Sequence, residues 1–156
     1  VLRDLGWNVT ATDVSNYAVK KAQKNYRGIK FLVHDMEKPF KGNKFDLAVA
    51  FDVIEHLPSP EVGIRNVHNL LRKNGVVIFT TPNDYSHVYN DPTHISVKKP
   101  REWVRILKKV GFQNISVKQV ALVPYFYRWH QRLAFVFPFE VNFKYIISPV
   151  ILIARK

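Results

Sequence analysis

Cysteine is absent from this 156-residue chain. That excludes a disulfide framework and thiolate metal sites, and it agrees with a cytoplasmic setting without requiring one. Long apolar runs are lacking too. The most apolar stretch, Leu133 to Phe139, is broken by Pro138 and falls far short of the roughly 18–20 residues that cross a bilayer. There is no signal sequence and no initiator Met: Val1 opens directly into what reads as the last turn of a helix, with Gly6 as its stop. A natural parent protein that extends further N-terminally is therefore expected. Glycine is scarce. Gly6, Gly28, Gly42, Gly63, Gly75 and Gly111 are the full set, and no two of them form a Gly-x-Gly, the spacing that lets a backbone turn close against a phosphate or a cofactor's polar end. Acidic residues are few, 12 against 24 Lys and Arg, for a formal net charge of +12. Such a balance attracts nucleic acid, anionic membrane surfaces and acidic substrates. The basic residues are nevertheless spread along the chain, as in Lys20, Lys21, Lys98, Lys99, Lys108 and Lys109, a distribution that suits solvated helix faces better than one binding stripe.

What is present is an alternation of strand and helix signals. Asn8 to Thr12 is a short β-branched run that ends in Asp13. Ser15 can cap a helix running to about Tyr26, with Ala18, Val19 and Ala22 on one face. Ile29 to His34 is a second apolar strand, ending in Asp35. Phe45 to Phe51 (FDLAVAF) is nearly continuous apolar sequence, which suits a strand buried on both faces of a parallel sheet. Ser59 followed by Pro60 starts a helix with Val67, Leu70 and Leu71 on its buried stripe. Asn74-Gly75 turns the chain into Val76 to Thr81. A polar loop, residues 82–99, leads to a helix from Pro100 in which Trp103, Val104, Leu107 and Val110 share a face and which Gly111 ends. Ile115 to Val123 and Ile146 to Ala154 are the last strands, and Pro149 within the latter suits an edge or a bulge. The fold class is α/β: a doubly wound, mostly parallel sheet with a C-terminal antiparallel hairpin, in one domain spanning 1–156.

In such sheets ligands bind beyond the carboxyl ends of the strands. Asp13 stands there and can accept hydrogen bonds from both hydroxyls of a ribose, or it can simply cap the following helix. Asp35, followed by Met36, can accept from an adenine amino group while the apolar side chain packs on the ring, or it can be a turn residue before Pro39. Phe51 and Asp52, with Glu55 and His56, end the third strand at the same edge.

Five segments, VTATDVSNYAVKKAQKN, FLVHDMEKPF, KFDLAVAFDVIEHL, LRKNGVVIFTTPN and KKVGF, resemble in order and spacing the class I S-adenosylmethionine-dependent methyltransferases. The likeness covers about residues 1–123 and is nearest to the group acting on small molecules, similar to ubiquinone-biosynthesis and sugar O-methyltransferases. It implies a Rossmann-like methyltransferase fold with S-adenosylmethionine as cofactor. It also implies roles: Asp13 with Val14 at the cofactor ribose, Asp35 and Met36 flanking its adenine, Phe51 and Asp52 lining the pocket below the methyl group. Glu55 and His56 would begin the active-site loop. Asn74 replaces the glycine usual at its turn, a position that tolerates Asn. The larger departure is upstream. The resemblance implies a central first strand and a GxGxG loop before the helix that ends near Leu5, and neither is in the sequence. Without that strand its neighbours should expose apolar edges, and cofactor affinity should be poor.

A hydroxyl acceptor must lose a proton during methyl transfer, work that suits histidine near neutral pH. His94, in NDPTHIS, resembles the acceptor-side segment of sugar-type methyltransferases and is the first candidate for base or acceptor ligand; His56 is the second. A structural role, bonded to Asp91 or Asp52, competes with both. His87, Asp91 and His94 have a loosely metal-like spacing, too weak to assign a metal. The segment 125–145 holds nine of the 21 aromatic residues and reads as an insertion between the last strands. It could pack the sheet or a homodimer surface, wall an apolar or lipid-linked acceptor site, or touch a membrane surface through Arg128 and Arg132. Nucleic acid is a less favoured partner, because Phe51-Asp52-Val53-Ile54 stands where exocyclic-amine methyltransferases carry an Asn/Asp-Pro-Pro-aromatic motif. A non-catalytic partner or membrane module is the remaining alternative.

Overall fold

The computed structural model describes residues 2–84, 86–119, 121–122, 136–137 and 149–156, with backbone alone at 86–87, 121–122 and 136–137. In chain order the strands and helices are β1 (Thr10–Asp13), α1 (Asn16–Asn25), β2 (Lys30–Val33), β3 (Phe45–Phe51), α2 (Pro60–Leu70), β4 (Leu71–Thr81), α3 (Pro100–Val110), β5 (Gln113–Gln119), β6 (Ala121–Leu122), β7 (Val136–Phe137) and β8 (Val150–Arg155). The alternation legible in the sequence is thus the alternation observed.

The local reasons are visible at the element ends. Ser15 sits in extended conformation before α1 and its hydroxyl accepts the Ala18 N–H at 3.2 Å, satisfying one of the orphan donors of the first turn. Glu102 reaches back to accept the Lys99 N–H at 3.0 Å, and Pro100 occupies the first turn of α3, where a missing N–H costs nothing. Gly111 closes that helix at φ 114°, a conformation strained for any side chain. Asn74 adopts φ 64°, the left-handed geometry that Asn tolerates.

The strands form two separate ladders. β1 and β2 pair in parallel, Thr10 with Lys30 through Asp13 with Val33. The second ladder runs β3-β4-β8-β5, with β3 parallel to β4 and β8 antiparallel to both β4 and β5. β8 and β5 are the expected antiparallel hairpin. The expectation that Pro149 marks an edge strand or a bulge gives way, since β8 starts at Val150, directly after it, and is hydrogen-bonded on both sides. Proline costs no ladder bond there because it precedes the first paired residue. β6 and β7 add a two-residue antiparallel ladder.

No strand among the described residues joins β1 to β3. The edge of β3 away from β4 is therefore open, and Val49 and Phe51 are 37% and 61% exposed. Burial of FDLAVAF on both faces holds only in part for this reason. Across the gap Val33 and Trp7 are exposed as well. A cleft of about 690 Å³ occupies it, lined among others by Trp7, Leu32, Phe40, Phe45, Leu47 and Arg72. The core lies wholly on the other side. Ile54, Ile64, Val67 and Leu71 pack with Val77 and Phe79 of β4, Trp103 and Leu107 of α3, and Val150 and Leu152 of β8. No helix among the described residues is long and apolar enough to cross a membrane.

Candidate active site

The parallel strands β1, β2, β3 and β4 deliver their last residues to one edge of the molecule. At the end of β1, Asp13 Oδ1 accepts the Ser15 N–H at 2.7 Å. The helix cap weighed as the alternative to ribose binding falls to Ser15 instead; the Asp13 turn bond uses one oxygen, and the second accepts no bond among the described residues. The His34 N–H donates to the Asp13 carbonyl at 3.0 Å, so the ladder runs on past β1 and sets Asp35 close by at the end of β2. Asp35 repeats the device, its Oδ1 accepting the Glu37 N–H at 2.9 Å. Two carboxylates thus stand on adjoining strand ends, each clamped by its own turn and each with an oxygen to spare. Val14 beside them is 69% exposed. Met36 lies across from Gly63 of α2, where an added Cβ would meet its Cγ at 3.4 Å, and its carbonyl accepts from Asn66 Nδ2 at 3.0 Å.

The end of β3 is built differently. Asp52 has φ 51°, a left-handed backbone that costs a non-glycine residue about 1 kcal/mol or more. Thr80 at the end of β4 holds it there. The Asp52 N–H donates to the Thr80 carbonyl at 3.0 Å and to Oγ1 at 3.1 Å, and Thr80 Oγ1 donates to Asp52 Oδ1 at 2.9 Å. The reversal drives the chain into a short 3-10 turn, Ile54–His56, whose middle residue, Glu55, is fully buried.

Glu55 is the anomaly of the molecule. Neither carboxylate oxygen has a hydrogen-bond partner among the described residues, and the buried Thr81 hydroxyl nearby has none either. Burial pushes the Glu55 carboxyl above its ordinary pKa; its own backbone N–H and Thr81 pull the other way, and the Asp52 charge adds to the rise. A buried ionisable group whose polar contacts are this weak is costly, and in clefts such groups mark functional sites.

His56 and His94 close the site. Their rings lie 4.8 Å apart. His56 Nδ1 faces the Thr93 carbonyl at 2.9 Å and His94 Nδ1 faces the Val88 carbonyl at 2.8 Å. A carbonyl only accepts, so in each neutral ring the proton sits on Nδ1 and the Nε2 lone pair is free. The loop that carries His94 is pinned by the Ser96 N–H donating to the Glu55 carbonyl at 2.8 Å and by Asp91, whose Oδ1 accepts from the Thr93 N–H and hydroxyl at 2.8 and 2.6 Å. Those bonds, the hydroxyl's first, hold the Asp91 carboxyl below its usual pKa. Asp91 Oδ2 lies 3.8 Å from His94 Nε2.

Of the residues singled out in the sequence, Asp13, Asp35, Asp52, His56 and His94 all reach the carboxyl edge. The gap cleft lies toward the amino ends of the strands and is lined by none of them, so that cleft is not where these residues gather. Among the described residues, Glu55, His56 and His94 have ligand atoms within 4.8 Å of one another; of the looser set His87, Asp91 and His94, the His87 side chain lies outside the described residues. So does the aromatic segment 125–145, save the backbone of β7. The burial of Glu55 escaped the sequence reading, because a Glu-His step after an apolar strand looks like the polar start of a loop.

The profile of a family described as a methyltransferase domain matches residues 1–117. A rice (Oryza sativa subsp. japonica) protein, chloroplastic 2-methyl-6-phytyl-1,4-hydroquinone methyltransferase 2, is 30% identical over 132 residues, covering 80% of this chain and 37% of its own. The chain therefore spans well under half of that relative's length. Among solved structures, a SAM-dependent methyltransferase from Archaeoglobus fulgidus superposes with TM-score 0.75 at 16% identity, covering 99% of this chain and 78% of its own. Phosphoethanolamine N-methyltransferase 2 of Haemonchus contortus, solved with S-adenosyl-L-methionine, superposes with TM-score 0.72 at 17% identity, covering 99% of this chain and 44% of its own.

Proposed function

The chain belongs to the family of methyltransferase domains whose cofactor is S-adenosylmethionine, and from that premise we propose that it methylates an oxygen of a small-molecule, glycan or lipid-linked acceptor. One observation carries this reading. Two clamped carboxylates with an open oxygen each, Asp13 and Asp35, share a sheet edge with two imidazoles whose Nε2 lone pairs are unclaimed by any backbone group.

When bound, S-adenosylmethionine supplies a methyl group on a sulfonium, already activated for displacement. The protein's own work is then alignment and proton handling. The open oxygen of Asp13 receives the ribose hydroxyls, with Val14 beside it, and Asp35 receives the adenine amino group next to Met36. Phe51 and the strained Asp52 wall the reacting end. His94 Nε2, or His56 Nε2 at its side, accepts the proton of the acceptor hydroxyl as the methyl group arrives, and each Nδ1–H stays on its carbonyl. The likeness to a rice methyltransferase named for a phytyl hydroquinone supports a small aromatic or isoprenoid-bearing acceptor over nucleic acid.

The test is binding and transfer by the protein. Calorimetry with S-adenosylmethionine, followed by transfer of a labelled methyl group to phenolic and sugar acceptors, should give saturable binding and O-methyl product. Saturable binding with product labelled only at carbon or nitrogen would overturn the oxygen assignment. Binding unchanged in the Asp13→Ala, Asp35→Ala double variant would overturn the cofactor roles of Asp13 and Asp35.

A further inference from the structure

We infer that Glu55, His56 and His94 form a divalent metal site, best matched to zinc, at the acceptor end of the molecule. Three independent features converge on it. First, the donor set is one carboxylate and two imidazoles, with ligand atoms within 4.8 Å of one another; His₂Glu is a zinc set that leaves a coordination position open for water or substrate. Second, both rings are already in the ligating tautomer. Each Nδ1 is held by a backbone carbonyl, Thr93 for His56 and Val88 for His94, which is how proteins orient a metal-binding imidazole through its far nitrogen. Third, Glu55 is fully buried, neither of its oxygens accepts a hydrogen bond of ordinary length and angle among the described residues, and its Oε1 lies 3.9 Å from His56 Nε2. A buried carboxylate facing two imidazole lone pairs lacks one thing, a positive charge between them.

The geometry needs little adjustment. Ligand atoms around a tetrahedral zinc with bonds of about 2.1 Å stand about 3.4 Å apart, so the three atoms would draw together by roughly an ångström. Side-chain torsions of His56, the last residue of its 3-10 turn, and of His94, in the loop before α3, can supply that, since neither is fully buried. Asp91, 3.8 Å from His94 Nε2, would then lie beside the site without being needed as a ligand, since its other oxygen serves Thr93. The role of the cation in turnover rests on the methyl-transfer reading: an acceptor oxygen in the open position would lose its proton more readily, and the two histidines would act as ligands where that reading alone makes them bases. The existence of the site does not rest on it.

The protein, stripped with chelator and titrated with cobalt(II) in the absence of any methyl donor, should bind one ion per chain and show the visible absorption of a low-coordinate cobalt site; zinc should displace it. His56→Asn and His94→Asn should each weaken binding at least tenfold, and Glu55→Gln should do so if it folds by circular dichroism. His34→Asn, whose ring packs on Phe40 away from the site, should bind as before. Failure of cobalt to bind stoichiometrically, or binding unchanged in the His56→Asn, His94→Asn double variant, overturns the proposal. A wrong methyl-transfer reading would show separately, as absent S-adenosylmethionine binding with the cobalt titration intact.

Discussion

The two halves of this molecule are held together in different ways. The half built on β3, β4, β8 and β5, with α2 and α3 packed against it, contains the core: Trp103, Phe79, Ile54, Ile64, Leu107 and Leu152 are all fully buried. The half built on β1, α1 and β2 contributes Val19 as its one buried apolar side chain among the described residues. Its parallel ladder has four residue pairs, and Tyr17, Tyr26, Val14 and Val33 are exposed. A two-stranded ladder with one helix buries too little apolar surface to offset the entropy of ordering its chain. Yet this thin half carries Asp13 and Asp35, the nucleoside side of the proposed site, and the sturdy half carries Glu55, His56 and His94. The core and the proposed nucleoside contacts thus lie on opposite sides of the gap beside β3.

That contrast can be tested from its largest consequence down. Trp103→Ala should empty a fully buried site and cost about 3–5 kcal/mol, seen as a fall in the midpoint of chemical denaturation, whereas Val19→Ala should cost only about 1–2 kcal/mol. Equal losses would break the comparison. His94→Ala should slow methyl transfer on the order of 10²-fold or more, with a much smaller change in S-adenosylmethionine affinity; undiminished turnover would remove His94 from the mechanism. Asp13→Ala should do the reverse and weaken cofactor binding about tenfold by calorimetry, the cost of about one charged-group hydrogen bond, at little cost in global stability. Native-state hydrogen exchange should find the amides of β1, α1 and β2 opening at lower free energy than those of β4 and β8. Slower exchange in that half on adding S-adenosylmethionine would tie the nucleoside to it.

The smallest expected effect is a pH dependence in the sturdy half. His68 stacks edge-on against Phe112 at 4.9 Å. Burial first, and then the charge of Lys156, hold its pKa below the usual imidazole value. The unfolded chain therefore binds the extra proton more readily, so this contribution is complete above the ordinary histidine pKa of about 6.5 and is lost as pH falls through it toward the lower folded value. The denaturation midpoint should decline on acidification below about pH 6.5, and His68→Asn should flatten that decline. A parallel decline in the variant would assign it to other groups.

Much of the fold was legible because its signals are local. Ser15, Pro60, Pro100 and Gly111 mark helix ends by backbone chemistry that neighbours hardly alter. Val76 to Thr81 reads as a buried strand, and β4 is paired on both sides. Legibility failed where a partner strand decides the outcome. Pro149 in an apolar run looked like an edge, because nothing local says that β8 slips between β4 and β5. FDLAVAF looked buried on both faces, because exposure of Phe51 depends on what lies across from β3. The site divides the same way. Asp13 and Asp35 could be read from their place at strand ends; the turn weighed for Asp35 is present, whereas the cap weighed for Asp13 is made by Ser15.

By itself, the sequence determined the order of elements, their caps and the carboxylates at the strand ends, because hydrophobic period and capping act over a few residues. Tertiary structure alone decided the rest. It split the ladders at an open edge, set β8 inside the sheet, and buried Glu55 beside two imidazoles that stand 38 positions apart in the chain (56 and 94). That last arrangement depends on a loop folding back so that the Ser96 N–H meets the Glu55 carbonyl, a contact between distant residues that no local pattern encodes.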